Sequence, residues 1–121
     1  MVKWFAGRVR RWILATMCTC QGLAAVTRAE SAFREEVLVL VIVVPLGLWL
    51  GHSGVERALL IGSWMLVLVV ELINSAIEAV VNRIGPERHP LSGMAKDMGS
   101  AAVGCSLILA ITVWALVLVR Y

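Results

Sequence analysis

The chain is short of charge, short of aromatic rings and without a cysteine framework. Lys, Arg, Asp and Glu make up 16% of its 121 residues, where a soluble globular domain carries about a quarter. The three cysteines, Cys18, Cys20 and Cys105, are an odd number without the spacing of a disulfide scaffold. Cys18 and Cys20 form a C-x-C with no histidine or further cysteine nearby, which argues against zinc, and as residues they read as small apolar fillers. There is no internal repeat and no low-complexity segment. There is also no G-x-x-x-x-G-K-[ST] loop, no glycine-rich kinase loop and no H-R-D triplet, so the motif logic of soluble nucleotide-dependent enzymes does not apply. No nucleic-acid partner is expected.

Apolar residues are what the chain has in excess. They account for 60% of the sequence, and the mean hydropathy is +0.89. A chain of this size allows a single domain at most, residues 1–121. One this greasy would expose broad apolar patches in water, so the bilayer is its natural solvent.

Three apolar stretches stand out. Residues 37–51 are interrupted only by Pro45, residues 58–70 are uncharged and continue as a helix-like pattern to about Val81, and residues 99–119 carry no charge. Only the third reaches the roughly 20 residues that a span needs without help. With their flanks at headgroup depth, the three predict transmembrane helices over about 33–51, 57–82 and 97–120. Short turns join them. Gly51 and Gly54 suit a tight loop at His52–Val55, and Gly85-Pro86 and His89-Pro90 break the chain inside a second connection, from about Arg83 to Lys96.

Residues 1–30 differ in kind. At 3.6 residues per turn, Phe5, Val9, Trp12, Ile13 and Thr16 share one side, with Lys3, Arg8, Arg10 and Arg11 broadly opposite. A basic amphipathic helix with tryptophans reads as lying on an anionic membrane surface. The stretch 12–18 is too broken for a secretory signal, and Met17 does not suit a lipoprotein box before Cys18. Nine of the eleven positive charges precede the first span or lie between the second and third; the exceptions are Arg57 and Arg120. The positive-inside rule then puts the N-terminus and the second connection in the cytoplasm, with the His52–Glu56 loop and Tyr121 outside.

The second span carries the most informative pattern. Glu71, Asn74, Ser75, Glu78 and Asn82 stand at i, i+3, i+4, i+7 and i+11 with only apolar residues between them. On an α-helix they fall within an arc of about 100°. Carboxylates near hydrocarbon are costly and persist when paired, metal-bound or facing water. Ser75 reads as helix-to-helix glue, and Glu35 and Glu36 as solvated neighbours of Arg34. Glu71 and Glu78 read as functional, because Glu30, Lys96 and Asp97 flank other spans at the same interface. Carboxylates for a metal, cations for phosphate charge and a base for an attacking hydroxyl are the residue types of phosphoryl transfer. The residues alone also leave open a small proton-coupled transporter and an oligomeric structural protein.

The run from Glu71 to Gly85, ELINSAIEAVVNRIG, resembles the signature of the bacterial diacylglycerol kinase family, which also includes undecaprenol kinases. The likeness continues through His89, Leu91-Ser92-Gly93 and 95–102 (AKDMGSAA), and upstream through 30–36 (ESAFREE). It covers most of the chain. The resemblance implies an all-α integral membrane protein of the bacterial inner membrane, multi-pass, with a cytoplasmic N-terminus. It further implies an amphipathic surface helix plus three transmembrane helices, and a homotrimer whose active sites are shared between subunits. ATP and Mg²⁺ would phosphorylate diacylglycerol to phosphatidate, or undecaprenol in the alternative.

Carried onto matching positions, Glu71 is the general base and touches the lipid, Asn74 assists catalysis, and Glu30 and Glu78 hold the metal on the ATP phosphates. Asn74, Lys96 and Asp97 position the phosphates and neutralise their charge, with nucleotide binding as the alternative for Asp97. Glu87, Arg88 and His89 meet the nucleotide from the loop, Arg11 and Cys18 approach it from the surface helix, and Arg11 and Ser100 also line the lipid site. Asn82 stands where many members carry aspartate, and Gln21 where a basic residue is expected.

Overall fold

A computed structural model describes residues 1–119; Arg120 and Tyr121, with the expectation that the C-terminus faces outward, lie outside the described residues. Those residues form four helices: α1 (Val2–Ala29), α2 (Ser31–Leu50), α3 (Gly54–Ile84) and α4 (Pro90–Leu118). They divide into two units. The first is Met1–Ser31, essentially α1, and the second begins at Ala32.

In the first unit, α1 runs unbroken because residues 2–29 contain no proline, and its threonines are neutralised locally. The hydroxyls of Thr16, Thr19 and Thr27 donate to the carbonyls of Trp12, Ala15 and Leu23 at 2.9, 2.9 and 2.6 Å. Back-bonding of this kind lets a hydroxyl sit on an apolar surface without an unmet donor. Arg8 lies over the Trp4 ring, 4.7 Å from its centroid, so Trp4, off the apolar stripe, has a cation–π partner. Val9, Trp12, Ile13, Thr16 and Met17 share one face, as the periodicity predicts. The helix ends at Glu30, whose φ of −114° and ψ of 116° are extended.

The second unit is held by α3 and α4, which pack along their lengths. Leu60 and Val67 of α3 are wholly buried, and Ala110 of α4 nearly so. Two indoles add directed ties. Trp114 Nε1 donates to the Leu60 carbonyl at 3.0 Å, and Trp64 Nε1 donates to the Glu36 carbonyl at 2.9 Å. The second of these joins α3 to α2. Val39, Val43 and Leu46 of α2 line an apolar groove of about 430 Å³ with Trp64, Ala110 and Trp114. Pro45 is accommodated inside a continuous α2.

The helix ends follow local chemistry. Ser53 caps α3 by accepting from Glu56 N at 3.2 Å, while the Glu56 carboxylate accepts from His52 N at 2.7 Å. The first bond satisfies one backbone donor that a helix start leaves open, and the second ties the residue before the cap to the first turn. At the other end Gly85 has φ +154° and ψ 166°, a region essentially reserved for glycine, and Pro86 follows.

One boundary differs from the sequence expectation. The connection read as running to Lys96 ends at His89, and α4 starts at Pro90. Proline suits the first helical position, where its missing N–H costs nothing, and His89 Nδ1 accepts from Leu91 N at 3.1 Å as the cap. Lys96 and Asp97 are therefore helical residues in the second turn of α4.

Among the described residues, α3 and α4 are long and apolar enough to cross a membrane. The first turns of α2 carry Arg34, Glu35 and Glu36, and its apolar part begins at Val37.

Candidate active site

The polar stripe of α3 turns inward. Glu71 and Asn74 are 5% and 7% exposed, and Glu78 is half-buried. Asn74 Nδ2 donates to Glu78 Oε1 at 3.5 Å, a long bond that joins two members of the stripe one helical turn apart. Asn74 Oδ1 and Ser75 Oγ are buried with no hydrogen-bond partner in the chain. Ser75 Oγ therefore makes no hydrogen bond to another described helix of this chain. A buried polar atom left without a partner is costly.

Sequence reasoning missed one residue here. Glu36 was expected to be solvated beside Arg34; instead it is half-buried on α2, within electrostatic reach of Glu71, and its Oε2 has no partner. The reason is the Trp64 tie, which draws the Glu36 turn of α2 against α3. A signal for this existed in the sequence only as an acidic pair, Glu35-Glu36. Spacing along α2 does not say which of the two faces inward.

Nearer the end of α3 the stripe passes to a second cluster. Lys96 Nζ donates to Asn82 Oδ1 at 2.8 Å, bridging α4 and α3. That pair, with Gly85 to Pro90 and the start of α4, lines an open cleft of about 500 Å³ that includes Glu87, Arg88 and His89. Four of the residues expected to meet a nucleotide thus share one cleft. The neutral carboxamide of Asn82 positions the Lys96 ammonium without cancelling its charge, which suits binding of phosphate.

Two expected residues of the second unit do not join these clusters. Asp97 and Ser100 are exposed on α4. They lie about 200° and 100° around the helix from Gly99, which is the α4 residue that meets Asn74. Arg11 and Cys18 are exposed on α1, and Glu30 closes that helix. Among the described residues no group of three His, Cys, Asp or Glu side chains forms a closed metal cage.

The sequence model of prokaryotic diacylglycerol kinases matches residues 17–118. The chain is 49% identical over 108 residues to the diacylglycerol kinase of Escherichia coli strain K12, covering 89% of this chain and 88% of that one. It is 47% identical over 110 residues to the diacylglycerol kinase of Pseudomonas aeruginosa, covering 91% and 89%. With the Haemophilus influenzae diacylglycerol kinase it shares 47% identity over 102 residues, covering 84% and 86%.

Proposed function

The chain belongs to the prokaryotic diacylglycerol kinase family and is a phosphotransferase, and we propose that it moves the γ-phosphoryl group of ATP onto the free hydroxyl of diacylglycerol, yielding phosphatidate. The work is done at the cytoplasmic face of the bacterial inner membrane. Family membership displaces the transporter and purely structural readings. The observation that carries the site assignment is the buried Glu71–Asn74–Glu78 line, continuing into the cleft that holds Lys96.

Depth supports this placement. With Gly54 at the outer boundary, a rise of 1.5 Å per residue puts Glu71 about 26 Å and Glu78 about 36 Å down α3, against a hydrocarbon core of about 30 Å. Glu71 then sits at the inner edge of the acyl region, where a lipid hydroxyl resides, and Glu78 in the headgroup zone, where phosphates are. The third span is α2, whose apolar part becomes long enough once Arg34, Glu35 and Glu36 lie at headgroup depth.

In this reading Glu71 takes the proton from the lipid hydroxyl as its oxygen attacks the γ-phosphorus, and the bond to the β-phosphate oxygen breaks to release ADP. Asn74 holds the Glu78 carboxylate. Lys96, Arg88 and His89 hold the phosphates and offset their charge, with Asp97 and Glu87 orienting the nucleotide. Arg11 and Cys18 approach from the surface helix, and Ser100 lines the lipid site. The side chains suit magnesium, since their donors are carboxylate oxygens, and that ion is typically held by one or two carboxylates plus nucleotide phosphates. Glu30 and Glu78 would hold it, and it would supply charge neutralisation at the phosphate oxygens.

The exposure of Asp97 and Ser100 away from the Asn74 face supports a homotrimer with shared sites, because there they can serve a neighbouring subunit. Transfer of radiolabelled phosphate from ATP, with diacylglycerol and undecaprenol offered side by side, tests the substrate. Labelled phosphatidate is expected. Label on undecaprenol alone would reassign the lipid, and no labelled lipid at all would remove the proposal.

A further inference from the structure

Gly99 lies in the interior of α4, where a glycine has no local justification. Its backbone is not left-handed; Gly85 is the only described residue with positive φ. Helix interiors disfavour glycine relative to alanine. Gly93 and Gly104, in the same helix, have open space where a side chain would start. Gly99 does not. A Cβ built on it would overlap Asn74 Oδ1 and stand 3.3 Å from Asn74 Cγ. The Asn74 carboxamide therefore occupies the volume that any other residue at position 99 would need. It is 93% buried, since 7% is exposed, and its Oδ1 has no hydrogen-bond partner. Its Nδ2 meets Glu78 Oε1 at 3.5 Å, a long and weak bond. The carboxamide is thus held by shape and hardly by bonds, and the wall that shapes it is the bare backbone of Gly99.

We propose that Gly99 is a positioning residue for the phosphoryl transfer: its missing side chain is the slot that keeps Asn74 in register with Glu71 and Glu78. This rests on the kinase reading above. Adding one methyl at position 99 pushes the carboxamide out of its slot, and small displacements of a group in a reacting constellation cost turnover steeply.

The test compares the intact protein in detergent–lipid micelles with Gly99→Ala, Asn74→Ala and the double variant, using Gly104→Ala as the control for a methyl added elsewhere in α4. Turnover with ATP and a short-chain diacylglycerol is measured beside thermal unfolding. Asn74→Ala and Gly99→Ala are each expected to lose roughly tenfold or more in kcat, with KM for either substrate moved by less than about threefold. The double variant should fall no more than about twofold below Asn74→Ala alone, because both changes disable one group. Gly104→Ala should stay active.

An active Gly99→Ala overturns the proposal, and so do losses that multiply in the double variant. Should Gly99→Ala not fold, the double variant decides, since trimming Asn74 to alanine empties the slot. Recovery of a folded protein then supports the proposal, and failure to recover overturns it. An unaltered protein without lipid kinase activity would instead mark the failure of the kinase reading itself.

Discussion

In the proposed site, Glu71 and Lys96 would serve a phosphoryl transfer in two different ways. Glu71 is 5% exposed on a largely apolar helix, and a carboxylate is costly there, which suits the catalytic task proposed for it. If that task is to take a proton, Glu71→Gln keeps the shape and removes the base. Turnover is then expected to fall by about 10²-fold or more, measured with ATP and a short-chain diacylglycerol on protein that still unfolds cooperatively. Near-normal turnover would dismiss the base role. Lys96 is exposed and, among the described residues, donates to the neutral Asn82 at 2.8 Å, a partner that leaves its charge uncancelled in the cleft. For Lys96→Gln we expect KM for ATP to rise by about tenfold, the loss of one charge-assisted phosphate contact, with KM for the lipid little changed. An unmoved KM for ATP would place the nucleotide elsewhere.

The joint between α3 and α4 is the element whose geometry builds the cleft proposed for the nucleotide. It is short because Gly85 stops one helix and His89-Pro90 start the next, leaving five residues, 85 to 89, between Ile84 and Pro90. Two of them carry the turn, and the rest present side chains to the cleft. Gly85 has φ +154°, so Gly85→Ala is expected to destabilise the protein by roughly 1–3 kcal/mol. A lower unfolding temperature, together with a raised KM for ATP, is the outcome that checks it. A fully stable Gly85→Ala with unchanged KM would mean that the joint does not need this turn.

At the scale of the whole molecule, a single subunit is an incomplete enzyme in the proposed reading. Glu71, Asn74, Glu78 and Glu36 gather on the inner faces of α2 and α3, while Asp97 and Ser100 face outward from α4. Exposed residues such as Leu38, Ile42, Ile73, Ile108 and Ile111 leave apolar surface for neighbours as well as for lipid. If sites are shared, mixing inactive Glu71→Gln subunits with inactive Asp97→Asn subunits restores activity, since some mixed sites receive both intact residues. Absence of any recovery in mixed oligomers would confine each site to one chain.

What the sequence determined by itself is what local chemistry and helical period can specify. The apolar runs, the one-sided line from Glu71 to Asn82, the stop at Gly85-Pro86 and the amphipathic α1 all follow from residues within a few turns of one another. The start of α4 is also specified locally, by the His89 cap and Pro90, although its uncharged apolar run begins only at Gly99. Tertiary structure alone decided which faces meet. That Glu36 looks toward Glu71 while Asn74 fills the space left by Gly99 depends on how α2 and α4 are rotated against α3. No spacing along a single helix sets that rotation, because it is chosen by the packing of Leu60, Val67, Trp64 and Trp114 across the interfaces.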